Sequence, residues 1–163
     1  MEILTTSEKK FFMNEALTEA KKAEKLGEVP IGAVVVYQKQ IIARGYNLRE
    51  KTQKATAHAE ILAINEACTF LNSWRLEETR LFVTLEPCSM CSGAMLLARI
   101  PEVYYGAKDP KGGAAGTLIN LLADSRFNHV AKTESGVLEE PCSQILTNFF
   151  KQLRKKRKNS QKG

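Results

Sequence analysis

The chain has 163 residues, 44% of them hydrophobic and 26% charged, with a net charge of +6. That length suits one domain around a single core, and the composition is ordinary for a soluble globular protein. No apolar run approaches the roughly 18 residues that span a membrane, and the N-terminus has no basic stretch leading into an apolar one. No membrane association and no signal peptide are therefore expected, and the expected location is the cytoplasm.

Met13, Ala16, Leu17, Ala20 and Ala23 recur at helical spacing and predict a helix from about Ser7 to Leu26, stopped by Gly27. The β-branched run Ile31–Val36 suits a buried strand, and the polar break at Gln38–Gln40 leads to a second strand over Ile41–Tyr46, paired with the first as a hairpin. A polar loop covers 47–56. A helix is then expected from His58 to about Leu71, with Ile61, Leu62, Ile64 and Ala67 on its inner face. Arg80–Leu85 reads as a strand, Ser89 to about Ala98 as a helix, and Glu102–Gly106 as another strand. A glycine-rich loop runs from Asp109 to Gly116, a short strand is expected near Val130–Thr133, and a terminal helix starts near Glu139. Strands alternating with helices imply an α/β sheet covered on both faces, with ligands collecting where helix N-termini meet strand ends.

The charge is not spread evenly. Residues 151–163 carry seven basic side chains and no acidic one, so removing them from the total of +6 leaves residues 1–150 at −1. A globular body over 1–150 is thus followed by a basic end over 151–163. Such a patch attracts polyanions, although a solvated end that keeps the chain soluble has the same composition.

Of the four cysteines, Cys68 and Cys142 stand singly among apolar neighbours and read as small core residues. Cys88 and Cys91 form a Cys-x-x-Cys, which inside the cell is a metal or redox motif more often than a disulfide. Placed on the first turn of a helix, both sulfurs point to one side, and the helix N-terminus favours thiolates. His58, at the start of a neighbouring helix, supplies a third ligand. Three ligands leave tetrahedral zinc an open position for water, the mark of a catalytic site. His129 lies far along the chain and reads as a structural or surface residue; Cys68 is nearly three turns from His58, so neither offers an evident fourth ligand. Glu60, two residues after His58, can reach water at the metal without ligating it, and can carry a proton from water to a ring nitrogen and on to departing ammonia. Alone, the Cys-x-x-Cys could be a redox pair or half of a structural zinc site. Joined to His58-Ala59-Glu60 in this order, it matches the His-x-Glu then Pro-Cys-x-x-Cys signature of zinc deaminases of nucleobases.

Around these motifs the chain resembles the bacterial tRNA-specific adenosine deaminases of the cytidine deaminase-like superfamily. The likeness runs from about residue 8 to 157, through Pro30–Val34, Gly45-Tyr46-Asn47, Thr56–Ile61, Thr84–Ala94, Tyr105–Asp109, Gly113–Gly116 and Phe149-Phe150. It implies a three-layer α/β/α sandwich on a five-stranded mixed sheet, one zinc ion per subunit, and a homodimer with RNA crossing both subunits. The implied activity is hydrolysis of adenosine to inosine at the wobble position of a tRNA anticodon stem-loop. It gives Asn47 a hydrogen bond to the target base, assisted by the Ala59 backbone, and Asp109 a contact to the nucleotide backbone. Phe149 and Phe150 would shape the anticodon-loop surface. Locally, Asn47 also reads as a turn residue, Asp109-Pro110 as a loop start, and the two phenylalanines as core. Arg154, Lys155, Lys156, Arg157 and Lys158 are candidate contacts to RNA phosphates. A free-base or nucleoside deaminase acting on guanine or cytosine shares the metal chemistry but needs no basic tail. A non-catalytic zinc-stabilised RNA-binding module would need a fourth ligand and no Glu60.

Overall fold

The computed structural model describes residues 1–162. Helix α1 (Thr6–Lys25) opens on a capping box, in which the Thr5 hydroxyl accepts the Glu8 amide and the Glu8 carboxylate accepts the Thr5 amide. Strands β1 (Gly32–Tyr37) and β2 (Gln40–Tyr46) form the expected antiparallel hairpin. After the one-turn helix α2 (Arg49–Thr52) come α3 (Ala59–Leu71), β3 (Thr79–Leu85), α4 (Ser89–Leu97) and β4 (Glu102–Ala107). A long loop leads to β5 (Lys132–Glu134), and α5 (Glu139–Lys162) closes the order.

The sheet order is β2-β1-β3-β4-β5. β1 pairs antiparallel with β2 and β3, while β3, β4 and β5 run parallel, so the five-stranded sheet is mixed as expected. β1 and β3 are buried along almost their whole length, because helices cover both faces. On one face α1 and α5 pack Phe12, Met13 and Cys142 against Val34, Phe82 and Tyr104. On the other, α3 and α4 pack Ala63, Ala67 and Met95 against Val35, Leu81 and Val103. The result is a three-layer α/β/α sandwich.

Four details differ from what the sequence predicts. The buried face of α3 consists of Ala59, Glu60, Ala63, Ile64 and Ala67, whereas Ile61 and Leu62 are half-buried. Small residues face the sheet because the helix lies close on β2: a Cβ at Gly45 would overlap the Ala59 carbonyl and the Ala63 amide. The expected loop 47–56 contains α2, whose Glu50 and Lys51 amides are accepted by the distant carboxylate of Glu28 at 3.0 and 2.9 Å. The last strand begins at Lys132, not Val130. Ala131 is the buried residue there, and Val130 faces solvent beside a polar edge strand. Cys142 is core as expected, but Cys68 is only half-buried.

The strand register sets the location of chemistry. Gly32 lies opposite Tyr46, Ala33 opposite Val83, and Leu85 beside Ala107. The start of β1 and the ends of β2, β3 and β4 therefore meet at one edge of the sheet, where α3 and α4 begin.

Candidate active site

Both helices at that edge start on a predicted metal ligand. His58 is the N-cap of α3 and Cys88 the N-cap of α4, each with extended backbone and no side-chain cap bond. Their carbonyls accept the first helical amides, from Leu62 at 3.1 Å and Ser92 at 2.9 Å. The imidazole and the thiol are left free to turn toward each other.

His58 Nδ1 lies 3.6 Å from Cys88 Sγ and 3.5 Å from Cys91 Sγ. All three donor atoms fall within 4.8 Å of one another, the one such His/Cys/Asp/Glu group among the described residues. A tetrahedral site with Zn–S near 2.3 Å and Zn–N near 2.05 Å has an N···S edge of about 3.6 Å. The donor set and its spacing fit such an ion.

Without metal, the group divides its protons unequally. Hydrogen bonds from Cys91 and His58 bring the Cys88 thiol down to about 4 against the cost of burial, while Cys91, bonded to Cys88 and buried, is pushed up. His58 is raised by its hydrogen bond to Cys88. Glu60 stands in the first turn of α3, 4% exposed. Burial pushes its carboxyl up to about 7, with the negative charge at Cys88 adding to the effect. A group poised near neutrality can both take and give a proton.

Asn47, Ala59 and Asp109 join His58, Glu60 and Cys88 in lining one cleft. The Asn47 side chain also ties its own turn: Nδ2 donates to the Val29 carbonyl at 3.2 Å, and Oδ1 accepts the Arg49 amide at 3.1 Å. Asp109 Oδ1 accepts the Lys111 and Gly112 amides, so its carboxylate shapes a turn while facing the cleft. Phe149 and Phe150 stand elsewhere. They meet edge to face on α5, with Phe149 in a groove beside Glu24, Gly27 and Lys156, and Phe150 exposed. Arg154, Lys155, Lys156, Arg157 and Lys158 ride exposed on the final turns of α5. His129 Nε2 donates to the Ile100 carbonyl, 2.7 Å away, as a structural residue.

Several further residues line the cleft. Val29, Ile31 and Leu85 give it apolar walls, Arg49 supplies a cation, and Glu86 closes one side. Burial alone would push Glu86 up, yet hydrogen bonds from Thr117 and from the Asp109, Thr117 and Ala115 amides hold it below its ordinary value. The only local sign of its role was a carboxylate set between an apolar strand and the Pro87-Cys88 turn.

A family model described as MafB19-like deaminase matches residues 7–154. The chain is 59% identical over 151 residues to a tRNA-specific adenosine deaminase of Bacillus subtilis, covering 93% of this chain and 94% of that protein. A solved structure from work on A-to-I editing by tRNA:A34 deaminases superposes with a TM-score of 0.80 at 44% identity, covering 83% of this chain and 99% of that one. Guanine deaminase from Nitrosomonas europaea shares the fold, at 20% identity, a TM-score of 0.75, and 86% and 83% coverage. With identity this high over nearly its full length, the chain belongs to the family of bacterial tRNA-specific adenosine deaminases.

Proposed function

We propose that this protein hydrolyses adenosine to inosine at the wobble position of a tRNA anticodon, releasing ammonia, with one zinc ion per subunit. The observation that carries this reading is the buried Glu60 beside the His58–Cys88–Cys91 group, at the base of a cleft with apolar walls. The relatives named for tRNA adenosine deamination give the substrate class.

A zinc ion held by the three ligands would supply the Lewis acid that makes water nucleophilic near neutral pH. Glu60 would take one proton from that water and pass it to the purine ring nitrogen. Once the oxygen is bonded to C6, the same carboxylate would take the remaining hydroxyl proton and hand it to the amino group as the C6–N bond breaks, so that ammonia leaves and the C6 carbonyl forms. Val29, Ile31 and Leu85 receive the faces of a base drawn out of its stack. Asn47 addresses its polar edge with the hydrogen-bonding capacity left over from its turn, next to the Ala59 backbone. Asp109 and Arg49 stand where the nucleotide backbone enters.

The flanking contacts belong to the same proposal. Phe149, Phe150 and the cations Arg154–Lys158 extend along α5 as a surface for the anticodon stem-loop, attracting its phosphates. Ile61 and Leu62 on α3, and Met90, Ala94 and Leu97 on α4, are apolar and partly or largely exposed, which supports a homodimer covering that layer. All four cysteines are free, and among the described residues no helix is long and apolar enough to cross a membrane. A tRNA substrate, as in the relatives, puts its work in the cytoplasm.

The test offers the purified protein an anticodon stem-loop with adenosine at the wobble position, beside free adenosine, cytidine, cytosine and guanine. Products are read by mass spectrometry. Inosine in the stem-loop alone is the expected result. Turnover of guanine or another small molecule alone would replace the RNA assignment with a free-base or nucleoside deaminase.

A further inference from the structure

The segment from Asp109 to Thr117 has no helix or strand of its own, yet through Asp109 it supplies part of the wall of the cleft. What fixes it is Glu86. The Glu86 side chain is 2% exposed, and both of its oxygens are spoken for. Oε1 accepts the Asp109 amide at 3.1 Å and the Thr117 hydroxyl; Oε2 accepts the Ala115 amide at 3.1 Å and the Thr117 amide at 3.0 Å. Among the described residues no cation pairs with this carboxylate, so its charge is met by backbone dipoles and one hydroxyl. Gly113 allows the arrangement: a Cβ there would overlap the Glu86 carboxylate and the Asp109 carbonyl.

Glu86 is also joined to the metal side. It lies two residues before Cys88 on the same strand-to-helix turn, and its own amide donates to Ala107 O at 2.8 Å. The next residue, Pro87, accepts the Ala114 amide at 2.9 Å. The turn that delivers a metal ligand and the wall that carries Asp109 are thus bound through one buried anion. A wall fixed before binding loses less freedom when substrate arrives.

We propose that Glu86 is a positioning residue: it holds the Asp109–Thr117 wall at a set distance from the metal ligands, so that Asp109 is already placed when the nucleotide backbone enters. This rests on the proposed function for the identity of the substrate, and on the hydrogen bonds above for the wall. Its action runs through Asp109 and leaves Glu60 and the ligands undisturbed.

The test compares the parent protein with Glu86→Gln, Asp109→Ala and the double variant, all zinc-loaded, on the wobble-adenosine stem-loop. Gln keeps the shape but turns an NH2 toward amide donors. We expect full zinc content, a KM raised by about tenfold and kcat within about threefold. In the Asp109→Ala background, Glu86→Gln should add little, because both changes act on the same substrate interaction. Hydrogen exchange at the Asp109, Ala115 and Thr117 amides should accelerate while α3 and α4 keep their protection. Effects that multiply in the double variant, unchanged exchange in the wall, or loss of zinc would each overturn the proposal. Should Glu86→Gln not fold, Thr117→Val removes the hydroxyl donor alone and decides the matter by a smaller KM rise that Asp109→Ala abolishes. If the parent converts no stem-loop adenosine, the proposed function falls, and exchange in the two forms still shows whether Glu86 holds the wall.

Discussion

His58 Nδ1 stands 3.5 Å from Cys91 Sγ, close to the N···S edge of a tetrahedral zinc site. Two helix starts on different strands have been brought to that separation by the fold, since His58 belongs to α3 and Cys91 to the first turn of α4. The grouping of these side chains is therefore a product of the sheet register, and it should persist without a bound metal.

Metal removal should expose unequal thiols. With hydrogen bonds from Cys91 and His58 bringing the Cys88 thiol down to about 4, it stays a thiolate at any higher pH and is protonated only as pH falls through that value. In chelator-treated protein, iodoacetamide should label Cys88 at a rate nearly flat from about pH 6 to 8, whereas an ordinary thiol of pKa about 8.5 speeds up roughly tenfold per unit. Burial pushes Cys142 up to about 12 and also raises Cys68, so both should lag. Peptide mapping of the label checks this; a Cys88 rate climbing like that of a free thiol would contradict it, and zinc added back should protect the site.

Glu60→Gln keeps the size of the side chain and removes its ability to carry a proton. Because Glu60 is not among the three grouped ligand residues, zinc content should stay at one per chain while turnover falls by about 10²–10⁴. Metal analysis beside single-turnover rates decides it. A variant that retains its rate would remove Glu60 from the mechanism, and one that loses zinc would make it a ligand.

The two layers should respond differently to damage. Phe82 is fully buried between Phe12 and Tyr104, its ring 4.5 Å from the Tyr104 ring, on the sheet face opposite α3 and α4. Phe82→Ala should cost about 3–5 kcal/mol in denaturant unfolding with zinc affinity kept. Gly45→Val drives a side chain into the Ala59 carbonyl and the Ala63 amide, at the start of the helix that carries His58 and Glu60. It should cost about 1–3 kcal/mol and weaken zinc binding as well. Equal loss of zinc affinity in both variants would mean that the site depends on global stability and not on the seat of α3.

The contrast between those glycine and phenylalanine positions also marks what was legible beforehand. Strand β3, the hairpin and the helix starts follow from apolar periodicity and from turn residues, and His58, Glu60, Cys88 and Cys91 from a motif with strict chemistry. The inner face of α3 was not legible, because Ile61 and Leu62 are as apolar as any core residue and only the close seat on Gly45 shows that alanines must face inward. Helix α2 carries no local sequence signal because its amides are capped by Glu28, far away in sequence. Glu28 and Glu86 read as surface charges in a sequence; their burial depends on amide donors that only the tertiary fold supplies.

Deleting residues 154–163 tests the basic end of α5. The side chains of 154–158 are exposed and lie beyond the half-buried Leu153, so thermal stability should change little. Removing each cation that neutralises a phosphate should reduce the slope of log affinity against log salt by somewhat less than one, and weaken binding most at low salt. The effect should appear in stem-loop affinity with little change in the single-turnover rate at saturation, because the cleft and Glu60 lie at the other helices' starts. Filter binding across a salt series measures both quantities. An unchanged affinity and slope would make the tail a solvated helix end, and would leave stem-loop recognition to the cleft and the surface around Phe149 and Phe150.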